Sequence, residues 1–135
     1  MAYLMVVDDN EDLATAMAFA LEEAGHTVVT KLDTADALTE MHRRPPDLAI
    51  LDCMFPGNDF AGLELARAMS QAPDLKRITI LMLTGVNQEL GTKLSTYDID
   101  NTWLPVSDFL EKPIDFAQLV GKVKALLQNA AARPK

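Results

Sequence analysis

"LMVVDDNEDL", residues 4–13, decides how the rest of the chain is read. Four apolar residues run directly into Asp8 and Asp9, with Asn10, Glu11 and Asp12 behind them. The apolar run suits a buried strand, and the acidic residues suit the helix N-terminus that follows, where they complement the helix dipole. Two adjacent aspartates at the end of a buried strand are unfavourable by themselves. Unit charges about 4 Å apart repel by roughly 4 kcal/mol at an effective dielectric near 20, so one carboxylate stays protonated unless something positive sits between them.

Outward from this stretch, short apolar runs alternate with segments of helical period, the pattern of βαβ units around a parallel sheet. The expected strands are "YLMVVD" (3–8), "TVVTK" (27–31), "LAILD" (48–52), "ITILML" (78–83) and "DFLE" (108–111). The second and fifth are less continuous, as edge strands often are. The first helix carries Leu13, Met17, Leu21 and Ala24 on one face and stops at Gly25. A second runs from an N-cap at Thr34 to Arg43, before Pro45 and Pro46, and a third from Ala61 to Ala72. A short fourth places Leu90, Leu94 and Tyr97 at i, i+4, i+7, and a fifth places Phe116, Leu119, Val120, Val123 and Leu127 toward the core. One domain over 1–129 and a short polar tail over 130–135 are expected.

The composition narrows the function. Twenty acidic against twelve basic side chains give a net charge of −8, which disfavours direct contact with nucleic acid or an anionic membrane. No stretch approaches the 18 or so apolar residues of a membrane span, and no basic, apolar leader opens the chain. The single Cys53 has no intramolecular disulfide partner. A cytoplasmic protein is expected. Cys53, next to Asp52 on a buried strand, reads as a packed thiol, and His26 and His42 stand too isolated to be ligands.

In an open parallel sheet, ligands bind beyond the carboxyl ends of the strands. Asp8 and Asp9 end the first strand, Asp52 the third and Thr84 the fourth, and Lys112-Pro113 follows the fifth. Three carboxylates, a hydroxyl and an ammonium are therefore expected in one crevice. One Mg²⁺ plus the Lys112 ammonium balances the three negative charges, and an all-oxygen donor set favours Mg²⁺ over zinc.

"VVDDN", "LAILDCMFP", "ILMLTG" and "DFLEKP", in this order over nearly the whole chain, resemble the receiver domain of two-component response regulators. The resemblance implies a flavodoxin-like (βα)5 fold with strand order 2-1-3-4-5, a three-layer sandwich around a five-stranded sheet. It implies phosphorylation of Asp52 by a sensor histidine kinase or phosphotransfer protein and a changed signalling face for a downstream protein. Such a chain is a phosphoacceptor acting on itself, not an enzyme with a separate substrate. By the same resemblance, Asp9 and Asp52 bind Mg²⁺ through their side chains and Met54 through its carbonyl, while Asp8 holds metal-bound water. Thr84 and Lys112 contact the phosphoryl group, Phe109 is the aromatic switch partner of Thr84, and the Lys112–Pro113 peptide is cis. Met54 and Val86 border the path of the water that hydrolyses the phosphoryl group.

Two stretches depart from the family. The loop "CMFPGNDFA" is about two residues longer than usual, and 27 residues separate Thr84 from Lys112, with the surplus in "STYDIDNTWLPVS". Trp103, Leu104, Pro105 and Val106 there read either as a cover over the fourth helix or as an exposed site for a partner or a homodimer. A haloacid-dehalogenase-type phosphohydrolase is disfavoured because the position of its general acid, two after the nucleophile, is Met54. A flavodoxin proper is disfavoured by acidic "DDNED" where a flavin phosphate loop should lie. A receiver that has lost phosphorylation is a further alternative, although every required residue type is present. The chain fits a single-domain regulator or a piece of a longer regulator or hybrid kinase.

Overall fold

Each of the five apolar runs forms a strand, and all pair in parallel. The computed structural model describes residues 2–58, 60–85 and 106–132. In chain order the elements are β1 (Tyr3–Val7), α1 (Glu11–Glu23), β2 (Thr27–Lys31), α2 (Thr34–Arg43), β3 (Leu48–Asp52), α3 (Ala61–Gln71), β4 (Thr79–Gly85), β5 (Asp108–Lys112) and α4 (Phe116–Ala132). The sheet order is β2-β1-β3-β4-β5, which is the flavodoxin-like order expected. Val7 pairs with Lys31 on one side and Leu51 on the other, and Asp52 pairs with Leu83, so the strand ends lie level.

Alternation along the strands divides the core into two layers, because successive side chains leave a strand on opposite faces. Met5, Val7, Ala49, Leu51, Ile80 and Met82 pack with Ala37 and Met41 of α2 and Leu63, Ala66 and Met69 of α3. Leu4, Val6, Leu48, Ile50, Leu81 and Leu83 pack with Met17 and Leu21 of α1 and Leu119 and Val123 of α4. β1 and β3 are apolar on both faces because both faces are covered by helices.

The helix boundaries show where side chains outweigh pattern. α2 is capped by Asp33 rather than Thr34: the Asp33 carboxylate accepts from the Asp36 N–H at 2.7 Å, a bond a threonine one residue later does not make here. Ala24 is exposed at the C-cap of α1, and Ala14 and Ala18 are buried on its inner face beside Met17 and Leu21. Gly25 takes φ +101° just beyond, the left-handed conformation that ends the helix. Phe116, expected toward the core, is 38% exposed at the first turn of α4. That helix continues through Ala132, so the first residues of the expected tail are helical. The expected helix at Leu90–Tyr97, Val86 and the Trp103–Pro105 stretch lie outside the described residues. Val106 packs, half-buried, against the layer of α2 and α3.

Candidate functional site

The polar residues gather where the strand pattern places them. Continuing the sheet register by one residue beyond Val7 and Leu51 sets Asp8 beside Asp52. Asp8, Asp52 and Lys112 share the strand parity of Val6, Ile50 and Leu110, so they leave the sheet toward α1 and α4. Asp8 is fully buried and Asp52 is 5% exposed, while Asp9 is exposed at the rim. One carboxylate oxygen from each of Asp8, Asp9 and Asp52 lies within 4.8 Å of the others.

Lys112 is the positive group between them. Its Nζ lies 3.2 Å from Asp8 Oδ2 and 3.3 Å from Asp52 Oδ1. Among the described residues, Asp8 Oδ2 is buried with Lys112 as its charged partner and has no well-formed hydrogen bond. Its other oxygen accepts from the Asn10 N–H at 2.9 Å. Asn10 also caps α1, accepting from the Leu13 N–H at 3.1 Å. The helix start and the acidic pair are thereby one local structure. An Asn directly before an acidic first turn is the sequence signal for it.

One ammonium does not neutralise this cluster. Burial, with the charge of Asp8 next, pushes the Asp52 carboxyl up to about 6, although Lys112 opposes the rise. Burial lowers the Lys112 ammonium, but the Asp52 and Asp8 charges outweigh it and leave the group raised and protonated. The buried Asp8 Oδ2, without a well-formed hydrogen bond among the described residues, and the raised Asp52 carboxyl fit a site that a further cation would neutralise. The all-oxygen donor set suits Mg²⁺ in particular. Cys53 takes no part: it is buried in the opposite layer, and burial pushes its thiol up to about 12.

The framework around Asp52 is fixed on two sides. The Cys53 N–H donates to Leu83 O at 3.1 Å, extending the sheet ladder past Asp52, and the Cys53 carbonyl accepts from the Gly62 N–H at 2.9 Å. Gly62 lets α3 lie directly on the strand end, since a Cβ there would stand 1.9 Å from the Asp52 carbonyl oxygen. Thr84, 9% exposed, lies in β4 next to the row of Asp52 and Leu83, and Gly85 pairs with Lys112. Phe109 is half-buried in β5 against the layer of α2 and α3. Asp108 Oδ1 accepts from the Phe109 N–H at 2.7 Å, and Asp108 Oδ2 pairs with Lys122 Nζ at 2.9 Å. The Lys112–Pro113 peptide is cis. Met54 is half-buried in the loop after β3.

An acidic pocket bridged by a lysine thus lies at the carboxyl end of a doubly wound sheet of order 2-1-3-4-5, the architecture of a receiver domain. The chain belongs to the response regulator receiver domain family, which it matches over residues 4–124. It is 36% identical over 129 residues to the phosphate regulon transcriptional regulatory protein PhoB of Rhizobium meliloti (strain 1021), covering 94% of this chain and 52% of that protein. It is 32% identical over 127 residues to the alkaline phosphatase synthesis transcriptional regulatory protein PhoP of Bacillus subtilis (strain 168), covering 94% of this chain and 49% of that protein. The chain thus spans about half the length of the curated relatives it matches. Among solved structures, it is similar to a putative response regulator from Chloroflexus aurantiacus J-10-fl, with TM-score 0.79 and 29% identity over 94% of this chain and 98% of that one. The receiver domain of NtrX from Brucella abortus superposes with TM-score 0.76 and 26% identity over 93% of this chain and 98% of that one. Receiver domains are signalling proteins of two-component systems and not enzymes in the usual sense. Among the described residues, no helix is long and apolar enough to cross a membrane.

Proposed function

We propose that this chain is a phosphoacceptor switch in which Asp52 receives a phosphoryl group from a sensor histidine kinase or phosphotransfer protein. The observation that carries this reading is the bridge by which half-buried Lys112 joins buried Asp8 and Asp52, its Nζ 3.2 and 3.3 Å from the two carboxylates. Asp52 is the nucleophile: it ends a central strand, and the bonds of Cys53 to Leu83 and Gly62 fix its backbone. Its carboxylate oxygen attacks phosphorus as the bond to the donor's imidazole nitrogen breaks, and the donor nitrogen leaves with the electron pair. Asp9 and Asp52 would hold Mg²⁺ through carboxylate oxygens, Met54 through its carbonyl and Asp8 through water. When bound, the ion supplies positive charge to the phosphoryl oxygens, which phosphoryl transfer needs more than covalent chemistry.

Lys112 stabilises the phosphoryl oxygens from the other side, exchanging a carboxylate contact for them. The Thr84 hydroxyl donates to the phosphoryl oxygen once it arrives. Phe109 follows Thr84 inward and alters the face presented to a downstream protein. A cytoplasmic location and no direct contact with nucleic acid are consistent with the net charge of −8. Asp52→Asn tests the reading with acetyl phosphate and Mg²⁺: the wild type should incorporate one phosphoryl group and the variant none. Equal labelling of the two would overturn the assignment.

A further inference from the structure

The loop that is longer than usual is tied down from within. Phe55 and Asn58 exchange both backbone hydrogen bonds, Asn58 N–H to Phe55 O at 2.9 Å and Phe55 N–H to Asn58 O at 3.1 Å. Between them, Pro56 and Gly57, with Gly57 at φ +82°, have the sequence and geometry of a type II turn. The Asn58 side chain then reaches in two directions. Its Oδ1 accepts from the Phe60 N–H at 3.0 Å, and its Nδ2 donates to Glu64 Oε1 in the first turn of α3 at 2.8 Å. The backbone donor fixes which side-chain atom is the oxygen, because an N–H can only donate. The N-cap residue Phe60 offers α3 no side-chain acceptor, so Asn58 takes over part of that task from two residues upstream.

The Phe55 N–H belongs to the same peptide unit as the Met54 carbonyl. A trans peptide is planar, so its N–H and C=O point in opposite directions, and holding one sets the other. The bond from Phe55 N–H to Asn58 O therefore orients the Met54 carbonyl. We propose that Asn58 is a positioning residue for Mg²⁺: by clipping the turn to Glu64 and to the Phe60 N–H, its side chain holds the Met54 carbonyl where the ion needs it. This rests on the reading of Met54 as a carbonyl ligand. Groups outside the ligands that fix ligand orientation typically change metal affinity by about 10–100-fold when removed.

The test is Mg²⁺ affinity by titration calorimetry, with thermal melts in chelator as the structural readout. Asn58→Ala removes both side-chain bonds without changing charge and should weaken Mg²⁺ binding about tenfold. Asn58→Asp keeps the acceptor for Phe60 but sets a second carboxylate against Glu64, and should weaken it similarly despite the added negative charge. In Asn58→Asp combined with Glu64→Gln, the donor and acceptor are exchanged and the net charge is restored, so affinity should return to within about twofold of wild type. Variants that melt lower in chelator but bind Mg²⁺ as wild type does would reduce Asn58 to a structural role and overturn the proposal. So would a double variant that binds no better than Asn58→Asp. A wild type that fails to bind Mg²⁺ at all overturns the metal site itself, a result the wild-type titration separates from the other two.

Discussion

Gly62→Ala puts one carbon where α3 lies on β3. The new Cβ would stand 1.9 Å from the Asp52 carbonyl oxygen, 2.8 Å from the Asp52 carbonyl carbon and 2.9 Å from Cys53 Cα, all backbone atoms. Ordinary contact begins at 3.4 Å, so the helix and strand must part by 3.4 minus 1.9, or 1.5 Å. The 2.9 Å bond from Gly62 N–H to Cys53 O lies in the same gap and is stretched or broken. Overpacking costs about 1–3 kcal/mol and the lost bond about 1 kcal/mol, while alanine returns about 1 kcal/mol of helix propensity. The net loss is about 1–3 kcal/mol, or roughly 4–12 °C in Tm for a domain of this size. Because the clash falls on Asp52 itself, labelling by acetyl phosphate should slow by on the order of a hundredfold, the effect of moving a reacting group by about 1 Å. Gly121→Ala in α4 is the control: its Cβ meets nothing within 4 Å among the described residues, so it should gain about 0.5–1 kcal/mol and label normally. Circular dichroism melts and labelling time courses decide the matter. A Gly62→Ala protein that melts with Gly121→Ala and labels at the wild-type rate would show that close packing of α3 on β3 does not position Asp52.

Acid should stabilise the metal-free protein in one window. Asp52 is raised from 3.8 to about 6, so the fold holds this proton more tightly than the unfolded chain does, and the contribution is lost as pH rises from about 4 through 6. The full shift corresponds to about 3 kcal/mol, of which about half is present at pH 5, so in chelator the protein should melt higher at pH 5 than at pH 7.5. Mg²⁺ should raise Tm at pH 7.5 and do so less at pH 5, since it needs the Asp52 carboxylate ionised; an equal increment at both would contradict the site. Asp9→Asn, one ligand charge fewer, should shrink the increment at pH 7.5. Met54 and Val86 offer no hydrogen bond to an attacking water, so Met54→Asn with Val86→Glu should speed loss of the phosphoryl group, and equal or slower decay would refute this.

The fold was legible because parallel strands covered on both faces must be apolar on both, and β1, β3 and β4 stand out as uninterrupted runs. The pocket was legible because ligands of an open parallel sheet bind beyond the carboxyl ends of its strands, where chain order alone places Asp8, Asp9, Asp52 and Lys112. What sequence reading missed depends on single side-chain bonds. Thr34 and Asp33 are both good caps, and only the 2.7 Å bond to Asp36 N–H selects Asp33. The clip at Asn58 was hidden because its partners, Phe60 and Glu64, lie across a turn of irregular length, although Pro56-Gly57 announced the turn. Gly62 looked like any helical glycine until the strand beneath it was placed, since periodicity records which face is buried and not how closely.

Asp52 is the residue proposed to carry the phosphoryl group. The most direct measurement is to phosphorylate the wild-type chain with acetyl phosphate and Mg²⁺, reduce the acyl phosphate with borohydride and locate the product by peptide mass spectrometry. One reduced residue, at position 52, should appear with Mg²⁺ and not in chelator. Modification at another aspartate, or equal modification without Mg²⁺, would contradict this assignment.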